Sequence, residues 1–178
     1  MDLKNWIDLA LSCGFTASCP LDPSTIELKE EVRAMCSADR CHSYNHNWVC
    51  PPACGSLEEG REKLTHYQRG ILLQTMGKLE DELDYEGMVE LGERHRDNLK
   101  AFLAKARAVD PDIFALGAGG CRICPKCTYP DAPCRFPDQA LTSMEAYGMV
   151  VSEVCKNNGL PYYYGPGTLA YTSCCFFV

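Results

Sequence analysis

Three cysteines at two-residue intervals, Cys121, Cys124 and Cys127, constrain this chain more than any other feature of it. They lie in the run Gly117-Ala118-Gly119-Gly120-Cys121-Arg122-Ile123-Cys124-Pro125-Lys126-Cys127. Thiols so spaced fall on the inside of one tight backbone curl, the arrangement that grips three corners of an iron–sulfur cube. A single zinc ion rarely needs a third thiolate that close, although a zinc site stays open as the alternative. Gly117, Gly119 and Gly120 lack side chains and let backbone N–H groups approach sulfide or thiolate. Arg122, Lys126 and Arg135 stand among the thiols as an offset to their negative charge. A fourth cysteine, Cys134, is separated from Cys127 by six residues and is preceded by a proline. In the bacterial ferredoxin run the fourth cysteine comes after three residues, precedes the proline and serves a second cluster. The small ferredoxin fold is therefore not implied, and Cys134 is the least constrained ligand of the four.

A second block, Cys36 to Cys54, holds four cysteines (Cys36, Cys41, Cys50, Cys54) within nineteen residues. It has little helical or strand period, so something other than a hydrophobic core must fold it, and a metal centre does so economically. Pro51 and Pro52 stiffen the backbone between Cys50 and Cys54, while Tyr44 and Trp48 can shield a centre from water. The intervals are less diagnostic than those of the trio. Iron–sulfur ligation by all four competes with zinc bound by Cys36 and Cys41 together with either Cys50 and Cys54 or His42 and His46. Otherwise His42 and His46 are expected to be exposed, or bonded beside the centre.

Five cysteines have no partner at metal-ligand spacing. Cys13 and Cys19 read as small half-buried side chains. Cys155 falls on a helix and Cys174 and Cys175 on the last strand; any one could complete a cluster that Cys134 leaves open. Adjacent strand residues face opposite ways, so only one of Cys174 and Cys175 could reach.

Composition narrows the setting. A chain of 178 residues can bury one sizeable core, so residues 1–178 are expected to form a single domain with cysteine-rich lobes at about 36–54 and 117–137. Thirteen cysteines are an odd count on a chain with full apolar helical stripes, unlike a disulfide scaffold. A net charge of −7 with no basic stripe argues against nucleic acid as the partner. The first residues show no basic segment leading into an apolar one, and no run approaches the roughly eighteen apolar residues of a membrane span. A cytoplasmic location without membrane insertion is expected, where thiols stay reduced, and dense thiolate sites suit an anaerobic cell.

The periodicities predict a helix over 2–13 stopped by Gly14, a turn at 22–25 and a helix over 26–35 that delivers Cys36. A capped helix over 57–67 opens with the Ser56/Glu59 box, and a buried strand spans 70–76. A long helix follows, with the stripe Met88, Leu91, His95, Leu99, Phe102, Leu103 and Ala106; His95 reads as a hydrogen-bonded histidine at the core edge. A strand over 113–116 runs straight into the glycines of the cysteine loop. After it come a helix capped by Thr142 and Glu145 and running to Gly159, and a tail of two strands around Gly165-Pro166-Gly167. The fold class expected is α/β, with α+β possible: a small sheet with covering helices and two cysteine-rich metal-binding loops, ending in a β-hairpin. The two lobes are expected to meet at one end.

Five stretches carry a resemblance: Cys36 to Cys41, Trp48 to Cys54 with Cys50-Pro51-Pro52 inside it, Gly119-Gly120 with the cysteine trio, Pro133-Cys134-Arg135-Phe136-Pro137 and Ser143-Met144-Glu145-Ala146-Tyr147-Gly148. In these the chain resembles the cysteine-rich prokaryotic proteins grouped as domain of unknown function 2284, over nearly its whole length. The resemblance implies metal at the matching cysteines and supplies no reaction. That family is associated with Tyr-Gly where this chain has Tyr44-Asn45, and asparagine tolerates the same left-handed backbone.

Three roles remain in competition. The first is an iron–sulfur protein with one or two [4Fe–4S] clusters passing electrons to a redox protein partner. The second is an enzyme whose open-site cluster has three cysteine ligands and binds a small substrate. The third is a zinc-binding structural or interaction module. No phosphate loop, Ser/His/Asp order or carboxylate pair points to other chemistry.

Overall fold

The computed structural model describes residues 1–178, and its frame is a four-stranded sheet in the order β1-β2-β4-β3. The strands are β1 (Ala17–Leu21), β2 (Arg69–Lys78), β3 (Phe114–Leu116) and β4 (Thr168–Phe177). Every pairing is antiparallel, so the mixed helix-and-sheet expectation holds in its antiparallel form. The helices are α1 (Leu3–Ser12), α2 (Glu30–Ser37), α3 (Leu57–Leu64), α4 (Tyr85–Ala106) and α5 (Val151–Asn157). None is long and apolar enough to cross a membrane.

Strand alternation divides the core in two. On one face, Ile71, Leu73, Cys175 and Phe177 pack against Trp6 and Ala10 of α1 and Leu99, Phe102, Leu103 and Ala106 of α4. Trp6 stacks on Phe177 at 4.7 Å. On the other face, Leu72, Cys174 and Phe176 meet Leu57 and Leu64 of α3 and Val151, Val154 and Cys155 of α5. The adjacent pair Cys174 and Cys175 thus points to opposite cores, as strand geometry requires.

The predicted stripe of α4 is buried from Leu91 to Ala106, with Met88 at its half-exposed start. Its one polar member lies within a donor and acceptor set: His95 Nδ1 is 2.9 Å from Thr75 Oγ1 and Nε2 is 2.7 Å from Ser173 Oγ. Neutral imidazole satisfies both hydroxyls, and burial holds its pKa down at about 4.

Four expectations need correction. Strand β1 was not foreseen; Pro20 interrupts its pattern, yet it is an edge strand, where a missing N–H is tolerated. Helix α2 starts four residues later than 26, at Glu30, because Leu28 bridges to Met149 and Lys29 N–H donates to the Gly148 carbonyl. The Thr142/Glu145 helix does not form: residues 143–149 are turns and bridges, Ser143 pairs with Gly117, and only Val151–Asn157 is helical. Gly148, at φ +94°, breaks the pattern. The terminal β-hairpin is also absent. Leu160–Tyr164 passes beside the sheet, held by Gln74, whose Nε2 donates to the Pro161 carbonyl and whose Oε1 accepts from the Tyr164 hydroxyl. A single long strand, β4, then runs between β2 and β3.

Two outcomes follow. Above pH 6.5 His95 is neutral folded and unfolded; as pH falls toward 4 only the unfolded chain takes the proton, so stability drops by about 3 kcal/mol. Urea midpoints at pH 7 and pH 4.5 measure this, and His95→Gln flattens the dependence. In Gly148→Ala, a Cβ 2.6 Å from Leu57 Cδ2 at positive φ lowers stability by roughly 1–3 kcal/mol, read from the same unfolding curves.

Candidate metal centre

Strand β3 ends at Leu116, and the chain passes directly into Gly117 and the trio loop. Gly117 N–H donates to Thr142 O at 2.9 Å and its carbonyl accepts from Met144 N–H at 3.0 Å, so both ends of the loop are tied to the sheet. Within the loop, Thr128 Oγ1 donates to Pro133 O at 2.8 Å, and Arg135 Nη1 to Lys126 O at 2.9 Å. These bonds draw the Cys134 segment back onto the trio. Cys121, Cys124, Cys127 and Cys134 are all half-buried.

The other block leaves α2 at Cys36 and re-enters regular structure at Ser56, which caps α3 in the reciprocal box with Glu59. Between them the chain turns through left-handed residues Asp39, His42 and Asn45, with Asn45 at φ +57°. The asparagine that replaces glycine after Tyr44 therefore adopts the conformation it was expected to tolerate. Cys50 is buried, Cys36 and Cys54 half-buried, and Cys41 exposed. His42 is exposed, and exposed His46 turns its Nε2 to within 3.9 Å of Asp39 Oδ2.

Electrostatic neighbourhoods sort the thirteen thiols. Burial pushes the Cys121 thiol up, and the nearby thiols of Cys134, Cys127 and Cys124 push it further. Burial likewise raises Cys36, with Cys41 adding to it, and Cys50, with Cys41, Cys54 and Cys36 adding. Cys54 is raised by burial and then by Cys36. The thiols that act on Cys121 all come from its own loop, and those that act on Cys36, Cys50 and Cys54 all come from their own block. The sulfurs do not converge as ligands of one ion: no three His, Cys, Asp or Glu side chains form such a site.

Three polar groups stand beside the thiol sulfurs. The Ile123 N–H beside Cys121, the Asn47 side chain beside Cys50 and the Arg33 charge near Cys36 and Cys54 each work against the effect of burial and favour the thiolate. Asn47 and Arg33 were not foreseen. Asn47 has no spacing signature, and Arg33 is read from sequence as one more charge on a wet helix face.

The two blocks meet. Trp48 Nε1 donates to Ala132 O at 3.0 Å, Tyr129 OH donates to Asn45 Oδ1 at 2.8 Å, and the Trp48 and Tyr129 rings pack edge to face at 4.9 Å. Gly120 also approaches the Ser43 hydroxyl closely enough that a Cβ would lie 3.2 Å from it. A hollow of about 420 Å³ opens at this junction, lined by Trp48, Pro130, Asp131, Ala132, Pro133 and Cys134.

The remaining cysteines belong elsewhere. Cys155, Cys174 and Cys175 are fully buried in the two cores, and Cys19 and Cys13 pack at the cores' margins. Burial holds Cys155 up at about 11 and raises Cys174 and Cys175 strongly. None completes a thiol group.

Trp48 should report on both blocks. In Trp6→Phe, where it is the remaining indole, metal addition to a Cys36→Ser/Cys50→Ser chain is expected to shift its emission although only the trio group binds. An unchanged spectrum would show that the junction is not coupled to that group.

The family profile for a predicted metal-binding protein, DUF2284, matches residues 19–177. No curated protein and no solved structure matches the chain.

Proposed function

The chain belongs to the DUF2284 family of predicted metal-binding proteins, and from that premise we propose that it is a cytoplasmic iron–sulfur protein exchanging electrons with a protein redox partner. Cys121, Cys124, Cys127 and Cys134 hold one [4Fe–4S] cluster; Cys36, Cys41, Cys50 and Cys54 hold a second. The observation that carries this reading is the gathering of the eight cysteines that lie outside the cores into two blocks of four, which meet through Trp48 and Tyr129. Bound clusters supply one-electron chemistry at potentials set by charge, hydrogen bonds and exposure.

The chain's own residues supply the surroundings. The Ile123 N–H and the Asn47 amide stabilise charged sulfur, as donors to thiolate do. Val49 and Asn47 bury the Cys50 side of the group, and Trp48 covers the junction. Arg122, Lys126 and Arg135 are exposed beside the trio group, which gives an anionic partner a cationic rim on a chain of net charge −7.

The open-site enzyme is favoured by one specific observation, the hollow beside Cys134. In that reading Cys134 is not a ligand and a small substrate occupies the hollow.

Iron, sulfide and zinc counted on anaerobically reconstituted protein test these readings. About eight irons and eight sulfides per chain are expected, falling to about four in Cys124→Ala and in Cys50→Ala. A colourless protein with stoichiometric zinc and no sulfide would leave the zinc module. Cys134→Ala separates the other two: loss of about four irons supports four-cysteine ligation, and an undiminished count supports the open site.

A further inference from the structure

One buried side-chain nitrogen or oxygen in the molecule has no partner, Nε of Arg33. The residue lies on α2 one turn before Cys36, on the same helical face. Its two terminal nitrogens both donate to the carbonyl of Gly55, at 2.9 and 3.0 Å. Gly55 follows Cys54, so the guanidinium is pinned between the two cysteines that open and close the first thiol group. It takes part in none of the ion pairs of the structure.

That arrangement is costly as it stands. A buried donor without an acceptor loses roughly 1–3 kcal/mol, more when charged, and a part-buried cation with no anion loses further. The fork is fixed by Gly55, so Nε–H cannot turn toward water. Three groups feel its charge, the thiols of Cys36 and Cys54 and the hydroxyl of Tyr147, and of these the two thiols are the ones a bound metal would make anionic. Four thiolates on zinc or on an oxidised [4Fe–4S] core leave a formal charge of about −2, which is the missing anion.

We propose that Arg33 is the built-in counter-charge and hydrogen-bond donor to metal-bound sulfur at the Cys36–Cys54 group, with its Nε–H given an acceptor when those cysteines ligate. This rests on the reading that the group holds a metal. It also makes the two centres unequal. The cations beside the trio group, Arg122, Lys126 and Arg135, are exposed and screened by water and salt, whereas Arg33 is held against the sulfurs with a buried Nε. A shielded positive charge favours the more negative, reduced state, so the Cys36–Cys54 centre has the higher potential. Electrons entering at the trio group come to rest there.

Arg33→Met and Arg33→Lys, in the full chain reconstituted anaerobically, test this. With iron and sulfide unchanged, a dye-mediated titration of Arg33→Met is expected to move one of two transitions negative by a tenfold change in the oxidised-to-reduced ratio, about 59 mV for one electron. The second transition stays, and Arg33→Lys, which keeps charge but not the fork, moves the first by less. Arg33→Lys also serves if Arg33→Met does not fold. Both transitions unmoved, or both moved equally, overturns the proposal. If the bound metal is zinc, the iron–sulfur reading fails separately; the proposal then requires Arg33→Met to lose one of two zinc ions to a competing chelator about tenfold more readily. Equal retention overturns it, as does a chain that takes up metal at the trio group only.

Discussion

Ten consecutive residue pairs between β2 and β4, from Arg69 opposite Phe177 to Lys78 opposite Thr168, are the constraint from which the rest follows. This ladder fixes which side chains face which way, so Ile71 and Phe177 serve one core while Leu72 and Phe176 serve the other. A slip of one residue would exchange the two sets and put Gln74 and Thr75 on the wrong faces. Gln74 ties down the crossing of Pro161 and Tyr164 on its side, and Thr75 meets His95 on the other. Short strand β3 pairs only with residues 174–176 of β4, so the outlet of the ladder is also the mount of the trio loop. The position of Gly117, and of every thiol after it, is inherited from that register.

Neither cysteine block has such a frame of its own. Residues 38–56 and 117–142 contain no helix and no named strand, and few of their side chains are buried. Their backbone is ordered by turns, side-chain bonds and each other. The contact between Trp48 and Tyr129 joins segments more than eighty residues apart in the chain and, with two hydrogen bonds, is worth a few kcal/mol by the usual scale of such contacts. That is small beside the conformational entropy of ordering two long loops. Binding energy from a metal is of the magnitude required, about 10 kcal/mol or more for a structural site. The junction therefore sets the relative placement of the groups, and under the proposed function ligation would supply the bulk of their order.

How much of this could be read from residues alone depends on whether the deciding contact is local. Ser56 and Glu59 cap α3 because both partners lie within one turn. Thr142 and Glu145 have the same spacing and fail, because Gly117 and Leu28, far away in the chain, take the neighbouring backbone into bridges and Gly148 turns left-handed. The trio, the second block and the meeting of the lobes were legible from spacing and from the aromatic residues in a loop. Strand β1 was hidden by Pro20, and the tail by Gln74, a residue whose role exists only once β2 is paired. Asn47 and Arg33 belong to the same class: their partners are set by tertiary folding, and no local pattern marks them.

The cysteines stand in two settings, on the helices and strands around the cores and in the two cysteine blocks. Cys155, Cys174 and Cys175 are enclosed by Leu, Val and Phe side chains with no compensating cation against Cys155 or Cys174, which keeps them protonated and makes them small apolar fillers. The eight block cysteines are mostly half-buried and lie outside both apolar cores, where an incoming metal could take the place of the protons. A thiol moved from the loops into the core would lose that access, and a core thiol moved to the loops would lose its packing. The odd total of thirteen, awkward for disulfides, is eight in the two blocks plus five elsewhere, on or at the end of a helix or strand: Cys13, Cys19, Cys155, Cys174 and Cys175.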